Sequence, residues 1–110
     1  MPELVVVNRF RVDEAGADAF RRDAQAALGA LGERPGYLDG RVGRNTDEPD
    51  LWLLATIWEN VGSYRRALSA YDVKMTAVPL LSRAVDEPSA YETIGDDETE
   101  TNVQVPRELR

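Results

Sequence analysis

The sequence contains no histidine and no cysteine. Without histidine no side chain has an ordinary pKa close to neutrality, so the usual general base is missing. The commonest haem and transition-metal ligand is missing with it. Without cysteine there is no disulfide framework, no thiolate nucleophile and no sulfur metal site. Long apolar runs are lacking too, and the start Met1-Pro2-Glu3-Leu4 has no basic stretch of the kind that opens a secretory signal. No membrane span is expected, and the cytoplasm is the expected location. Basic charge is scarce: 13 Lys and Arg stand against 20 Asp and Glu, a net charge of −7. Nucleic acid and anionic membranes call for a basic footprint that this chain does not offer.

What is present suits one globular domain with a real core. The 110 residues are 43% hydrophobic and 30% charged. Residues 1–83 carry 11 basic and 12 acidic side chains, whereas residues 84–110 carry 2 and 8. The acidity therefore sits at the C-terminal end. The sequence predicts a domain over residues 1–94 and an acidic tail over 95–110, either disordered or paired with a partner chain.

Hydrophobic periodicity gives the elements. Leu4–Val12 reads as a strand, β-branched at first and alternating later, with Leu4, Val6, Asn8, Phe10 and Val12 on one face. Phe20, Ala24, Ala27, Leu28 and Leu31 recur at helical spacing, and Gly32 stops that helix. Arg34-Pro35-Gly36 is a turn, Tyr37–Arg44 a second strand, and Asn45–Asp50 a polar hairpin loop. Leu51–Trp58 is the strongest strand and is apolar on both faces. Asn60 is an N-cap for a helix over Val61–Ala70, and Tyr64, Leu68 and Tyr71 fall at i, i+4 and i+7, which makes one face. A further helical piece over Asp72–Val85 is interrupted by Pro79, and Ser89–Ile94 reads as a last strand.

The order β-α-β-β-α-β predicts an α+β, ferredoxin-like fold, with an antiparallel sheet and both helices on one face. The second face of an all-apolar central strand also needs burial. A homodimer with the two sheets face to face, a dimeric α+β barrel, is therefore expected.

Several segments also resemble the antibiotic biosynthesis monooxygenase family. They are V-V-V-N-R-F at the first strand, Phe20, R-P-G-Y-L at 34–38, and L-L-A-T-I-W-E-N-V-G-S-Y-R at 53–65. The resemblance spans roughly residues 4–94. It implies two lines of chemistry. One group of the family oxidises phenolic polyketides with dioxygen and no cofactor, and Trp58 and Tyr64 match its pocket Trp and Tyr. Leu54 stands where that group has a pocket Asn. The other group degrades haem, and Asn8 and Trp58 match two of its pocket residues. Its proximal His has no counterpart, so haem degradation by that route is not expected, although a tyrosinate such as Tyr71 can in principle ligate iron.

The candidate catalytic residues are Asn8, Trp58 and Tyr64. A buried Asn8 amide needs a partner, and a substrate oxyanion is one. Tyr71 and Arg83 are candidate substrate-binding residues, and Leu54 and Phe10 complete the expected lining on the faces of Trp58 and Asn8. No metal or cofactor is expected. The expected function is a small dimeric monooxygenase of secondary metabolism, acting with dioxygen on a phenolic or polycyclic aromatic substrate. The alternatives are a non-catalytic ligand-binding or accessory protein of the same fold, and a haem-binding protein.

Overall fold

In the computed structural model, which describes residues 1–95, eight regular elements follow the predicted order. They are β1 (Leu4–Arg11), α1 (Ala17–Gly32), β2 (Tyr37–Arg44), β3 (Leu51–Trp58), α2 (Val61–Leu68), α3 (Tyr71–Thr76), α4 (Val78–Leu81) and β4 (Ala90–Glu92). A 3-10 turn at Glu14–Gly16 precedes α1. The sheet order is β2-β3-β1-β4 with every pair antiparallel. This is the α+β, ferredoxin-like arrangement read from the sequence. The tail predicted for residues 95–110 lies, apart from Gly95, outside the described residues.

Local chemistry explains the boundaries. The Asp13 carboxylate accepts from the Gly16 N–H at 2.8 Å and turns the chain into α1. The Asn45 side chain accepts from the N–H groups of Asp47 and Glu48, both at 2.8 Å, which folds the β2–β3 hairpin loop on itself. Pro79 sits in the first turn of α4, where its missing N–H costs nothing, so the predicted interruption becomes a helix start. Gly36 has φ +90°, and a Cβ there would overlap the Ser63 side chain, so the turn after α1 docks directly on α2.

The core lies between the sheet and the helices. Leu4, Val6, Phe10, Trp52, Leu54 and Trp58 face Phe20, Ala24, Ala27 and Leu31 of α1 and Ala67, Val73 and Leu80 of the later helices. The two tryptophans are satisfied differently. The Trp58 indole N–H donates to the Thr56 hydroxyl at 2.9 Å. The Trp52 indole N–H is buried without an acceptor among the described residues, and the Arg44 guanidinium lies 4.9 Å from its ring centre.

The other face of the sheet carries Val5 and Val7 of β1, and Leu53, Ala55 and Ile57 of β3, all half-buried. Arg9 also rises on this face and forks onto Glu87 at 2.7 Å and 2.5 Å, tying the segment before β4 to β1. The Val85 N–H to Arg9 carbonyl and Val7 N–H to Ser89 carbonyl bonds, each about 2.7–2.8 Å, complete that attachment. Among the described residues, no helix is long and apolar enough to cross a membrane.

Two measurements test this account. Hydrogen bonding from Arg9 and its charge hold the Glu87 carboxyl below its ordinary pKa. A depressed folded pKa stabilises the fold above the unfolded carboxylate pKa, and the gain is lost as pH falls through the folded value. Glu87→Gln therefore lowers the melting temperature at neutral pH, and the difference from the parent closes as pH falls through the folded Glu87 value. Urea denaturation should also separate the tryptophans. Trp52→Phe removes an unsatisfied donor, whereas Trp58→Phe breaks a buried hydrogen bond, so the second is the more destabilising by about 1 kcal/mol or more.

Candidate active site

Trp58 is the centre of the seam between sheet and helices, and it is 0% exposed. Period-two alternation puts its indole on the helix side of β3, with Leu54 and Thr56. Three neighbours enclose it. Leu4 is its register partner on β1 and Tyr37 its partner on β2. The Tyr37 ring meets it edge-on, at 5.3 Å and 89°. The Tyr64 ring lies 5.5 Å away at 55°. Such tilted aromatic pairs add on the order of 1 kcal/mol beyond burial.

Tyr64 reaches Trp58 because of where α2 begins. The Asn60 side chain caps the helix, accepting from the Ser63 N–H at 2.9 Å. Ser63 and Ala67 fill the buried side of α2, which leaves Tyr64 half-buried beside them. Burial pushes the Tyr64 phenol above its ordinary pKa. At neutral pH it is a hydrogen-bond donor and not a base.

Asn8 is half-buried on the same side of the sheet, opposite Leu54. Its amide has no hydrogen-bond partner among the described residues, and neither do the hydroxyls of Tyr37 and Tyr64. Three successive cross-strand rows therefore carry the site. They are Asn8–Leu54–Val42, then Val6–Thr56–Gly40, then Leu4–Trp58–Tyr37.

The structure thus brings Tyr64 to Trp58, sets Asn8 beside Leu54 two rows away on the same side of the sheet, and does not bring the other candidates to them. Tyr71 is 76% exposed. The prediction placed it on one helix with Tyr64 and Leu68, but α2 ends at Leu68 and Tyr71 opens α3 on a new axis. Arg83 pairs with Asp23 of α1 at 3.6 Å. The two border a groove of about 400 Å³ on the helix side, lined also by Met75, Pro79 and Leu80. Phe10 is buried against Phe20 at 5.0 Å, towards the Trp52 end of the sheet. Asp39 pairs with Arg41 at 2.7 Å and is half-exposed.

Two members of the site escaped the sequence reading. Thr56 carries the indole N–H of Trp58, and its place two residues before Trp58 on a strand was the available signal. Tyr37 is on the wrong parity for the helix side and reaches it only through a β-bulge between Tyr37 and Asp39. That bulge leaves no mark in the residue pattern.

The chemistry of the seam is one-sided. It offers, among the described residues, an amide and phenol hydroxyls as donors, apolar walls, and no carboxylate or imidazole base. Among the described residues, no three of His, Cys, Asp or Glu are grouped to hold a metal. This donor set complements an aromatic molecule that carries oxygen acceptors.

The sequence pattern of the family described as "Antibiotic biosynthesis monooxygenase" matches residues 3–77. Solved structures of the same fold include SnoaB, a cofactor-independent oxygenase from Streptomyces nogalater. It is 21% identical, with 94% of this chain and 100% of that chain covered and a TM-score of 0.71. A conserved protein from Methanosarcina mazei Go1 is 20% identical over 84% of this chain and 93% of its own, with a TM-score of 0.69. A protein of unknown function from Bacteroides thetaiotaomicron is 11% identical over 84% and 98%, with a TM-score of 0.72. These identities establish likeness of fold. No curated protein matches the sequence. With the match covering residues 3–77, on the β-α-β-β-α framework that builds the seam around Trp58, this chain belongs to the antibiotic biosynthesis monooxygenase family.

Proposed function

We propose that the protein is a cofactor-independent monooxygenase that oxidises a phenolic or polycyclic aromatic metabolite with dioxygen. The observation that carries this reading is the set of unclaimed donors on one side of the sheet, Tyr64 and Tyr37 against the buried Trp58 and Asn8 two rows along. An anthrone-type substrate shows what such a site has to do. The substrate first loses a C–H proton to solvent, and the resulting oxyanion is held by the Asn8 amide. It passes one electron to dioxygen, and the two radicals join through a new C–O bond. The O–O bond then breaks, and the second oxygen leaves as water with the remaining methylene hydrogen and one proton from solvent. One CH₂ and one O₂ thus become one C=O and one H₂O. Tyr64 hydrogen-bonds a second substrate oxygen, and the buried Trp58 behind it holds the Tyr64 ring in place. The family relationship and the fold shared with SnoaB support the same reading.

A second reading is a ligand-binding protein without turnover. Two observations favour it. Leu54 stands beside Asn8 where an amide would add a second donor, and the Trp58 N–H is already taken by Thr56.

Oxygen-electrode measurements with 1,8-dihydroxyanthrone separate the two. We expect uptake above the uncatalysed rate, reduced about 100-fold in Asn8→Ala and roughly tenfold in Trp58→Phe. Binding with uptake at the background rate would establish the second reading instead.

The working unit on this proposal is a homodimer, closed over the sheet face that carries Val5, Val7, Leu53, Ala55 and Ile57. Stable interfaces bury on the order of 1,200–2,000 Å² in total, and a second copy of this face is a self-complementary cover. Native mass spectrometry should show the dimer, and Ala55→Asp at the middle of the face should shift it to monomer with the circular dichroism spectrum unchanged.

A further inference from the structure

The first residues of β2 are arranged at a cost. Regular alternation along Tyr37–Arg44 puts Leu38, Gly40, Val42 and Arg44 on one side and Tyr37, Asp39 and Arg41 on the other. The register breaks this order. Tyr37 pairs with Trp58 while Asp39 pairs with its neighbour Ile57, so Leu38 is the extra residue of a bulge. The result puts a phenol on the helix side and leaves Leu38 47% exposed. Hydrophobicity alone favours the opposite choice, with leucine inside and tyrosine out.

The space for that phenol is also built. Gly40 lies directly beneath it, and a Cβ on Gly40 would overlap the Tyr37 hydroxyl and crowd Leu28. Gly32, at the end of α1, passes the other side of the ring, 3.7 Å from it when given a Cβ. The ring packs edge-on against Trp58. The hydroxyl itself takes the space over Gly40, and it has no acceptor among the described residues. It sits over the row that contains Thr56, between the row of Asn8 and the row of Trp58. Burial and the nearby Asp39 carboxylate push its pKa up, so it keeps its proton at neutral pH.

We propose that Tyr37 is a ligand-binding residue whose hydroxyl donates to an oxygen of the bound aromatic and whose ring forms the β2-side wall of the site. The proposal rests on the reading above that the seam around Trp58 takes an oxygen-bearing aromatic. It specifies that ligand further. The ligand presents one oxygen towards Asn8 and another, across the ring system, towards the edge strand β2. Tyr37 then selects for oxygen substitution on that edge, and the bulge exists to aim it.

Two probes test this, 1-naphthol and naphthalene, which differ only by the oxygen. Their binding to the full chain is followed by fluorescence, for the parent and for Tyr37→Phe, with circular dichroism to confirm the fold. The expected result is a roughly tenfold loss of affinity for 1-naphthol with naphthalene unchanged. An equal loss for both probes, or no loss for either, overturns the proposal and leaves the proposed function standing. A selective loss in a protein whose oxygen uptake stays at background supports this role for Tyr37 and overturns the monooxygenase reading. Failure of the parent chain to bind 1-naphthol overturns both.

Discussion

The exclusion of water from Trp58 is the constraint on which the rest of this structure depends. An indole at the end of a central strand is large enough to hold sheet and helix apart, so both must shape themselves to it. Tyr37 closes the β2 side, Tyr64 closes the α2 side, and Leu4 lies alongside on β1. Its one polar atom needs an acceptor where no water reaches, and Thr56 provides it. Around this point a bulge, a helix cap and a two-glycine slot all fall into place. Each of them alone reads as a local irregularity.

Much of the framework was legible from residue order. β2 and β3 have the predicted bounds, because Pro35-Gly36 and the Asn45–Asp50 loop fix where they start and stop. α1 and the Asn60 cap were equally plain, since apolar spacing and capping chemistry are local properties. The site was legible in part. Asn8 announced itself as an amide on an apolar face, and Trp58 and Tyr64 as aromatics either side of a cap. Tyr71 misled because a stripe at i, i+4 and i+7 presupposes one continuous helix, and Ser69-Ala70 ends it. Arg83 misled because its partner, Asp23, comes from an element distant in sequence. Tyr37 was hidden because a bulge changes which face a residue occupies without changing its neighbours in the chain.

The two faces of the sheet divide the labour. The helix side carries the aromatic seam and the unclaimed donors. The other side carries small aliphatic residues, interrupted by ion pairs of Arg9 with Glu87 and Arg41 with Asp39. Because β3 belongs to both, a substitution along it alternates between disturbing the seam and disturbing the outer face. Thr56 and Ile57 are adjacent in the chain and belong to different problems.

The contact between Gly36 and Ser63 has a consequence for how such a chain diverges. The turn is in van der Waals contact with the first turn of α2 because one residue has no side chain and the other a small one. A side chain at 36 would meet Ser63 and would also be strained by the φ of +90°, so a smaller residue at 63 alone does not free position 36. Lineages that keep the glycine inherit the close approach of turn and helix, and with it the fixed distance between the start of β2 and Tyr64. Lineages that lose it must rebuild the wall around Trp58 from different residues.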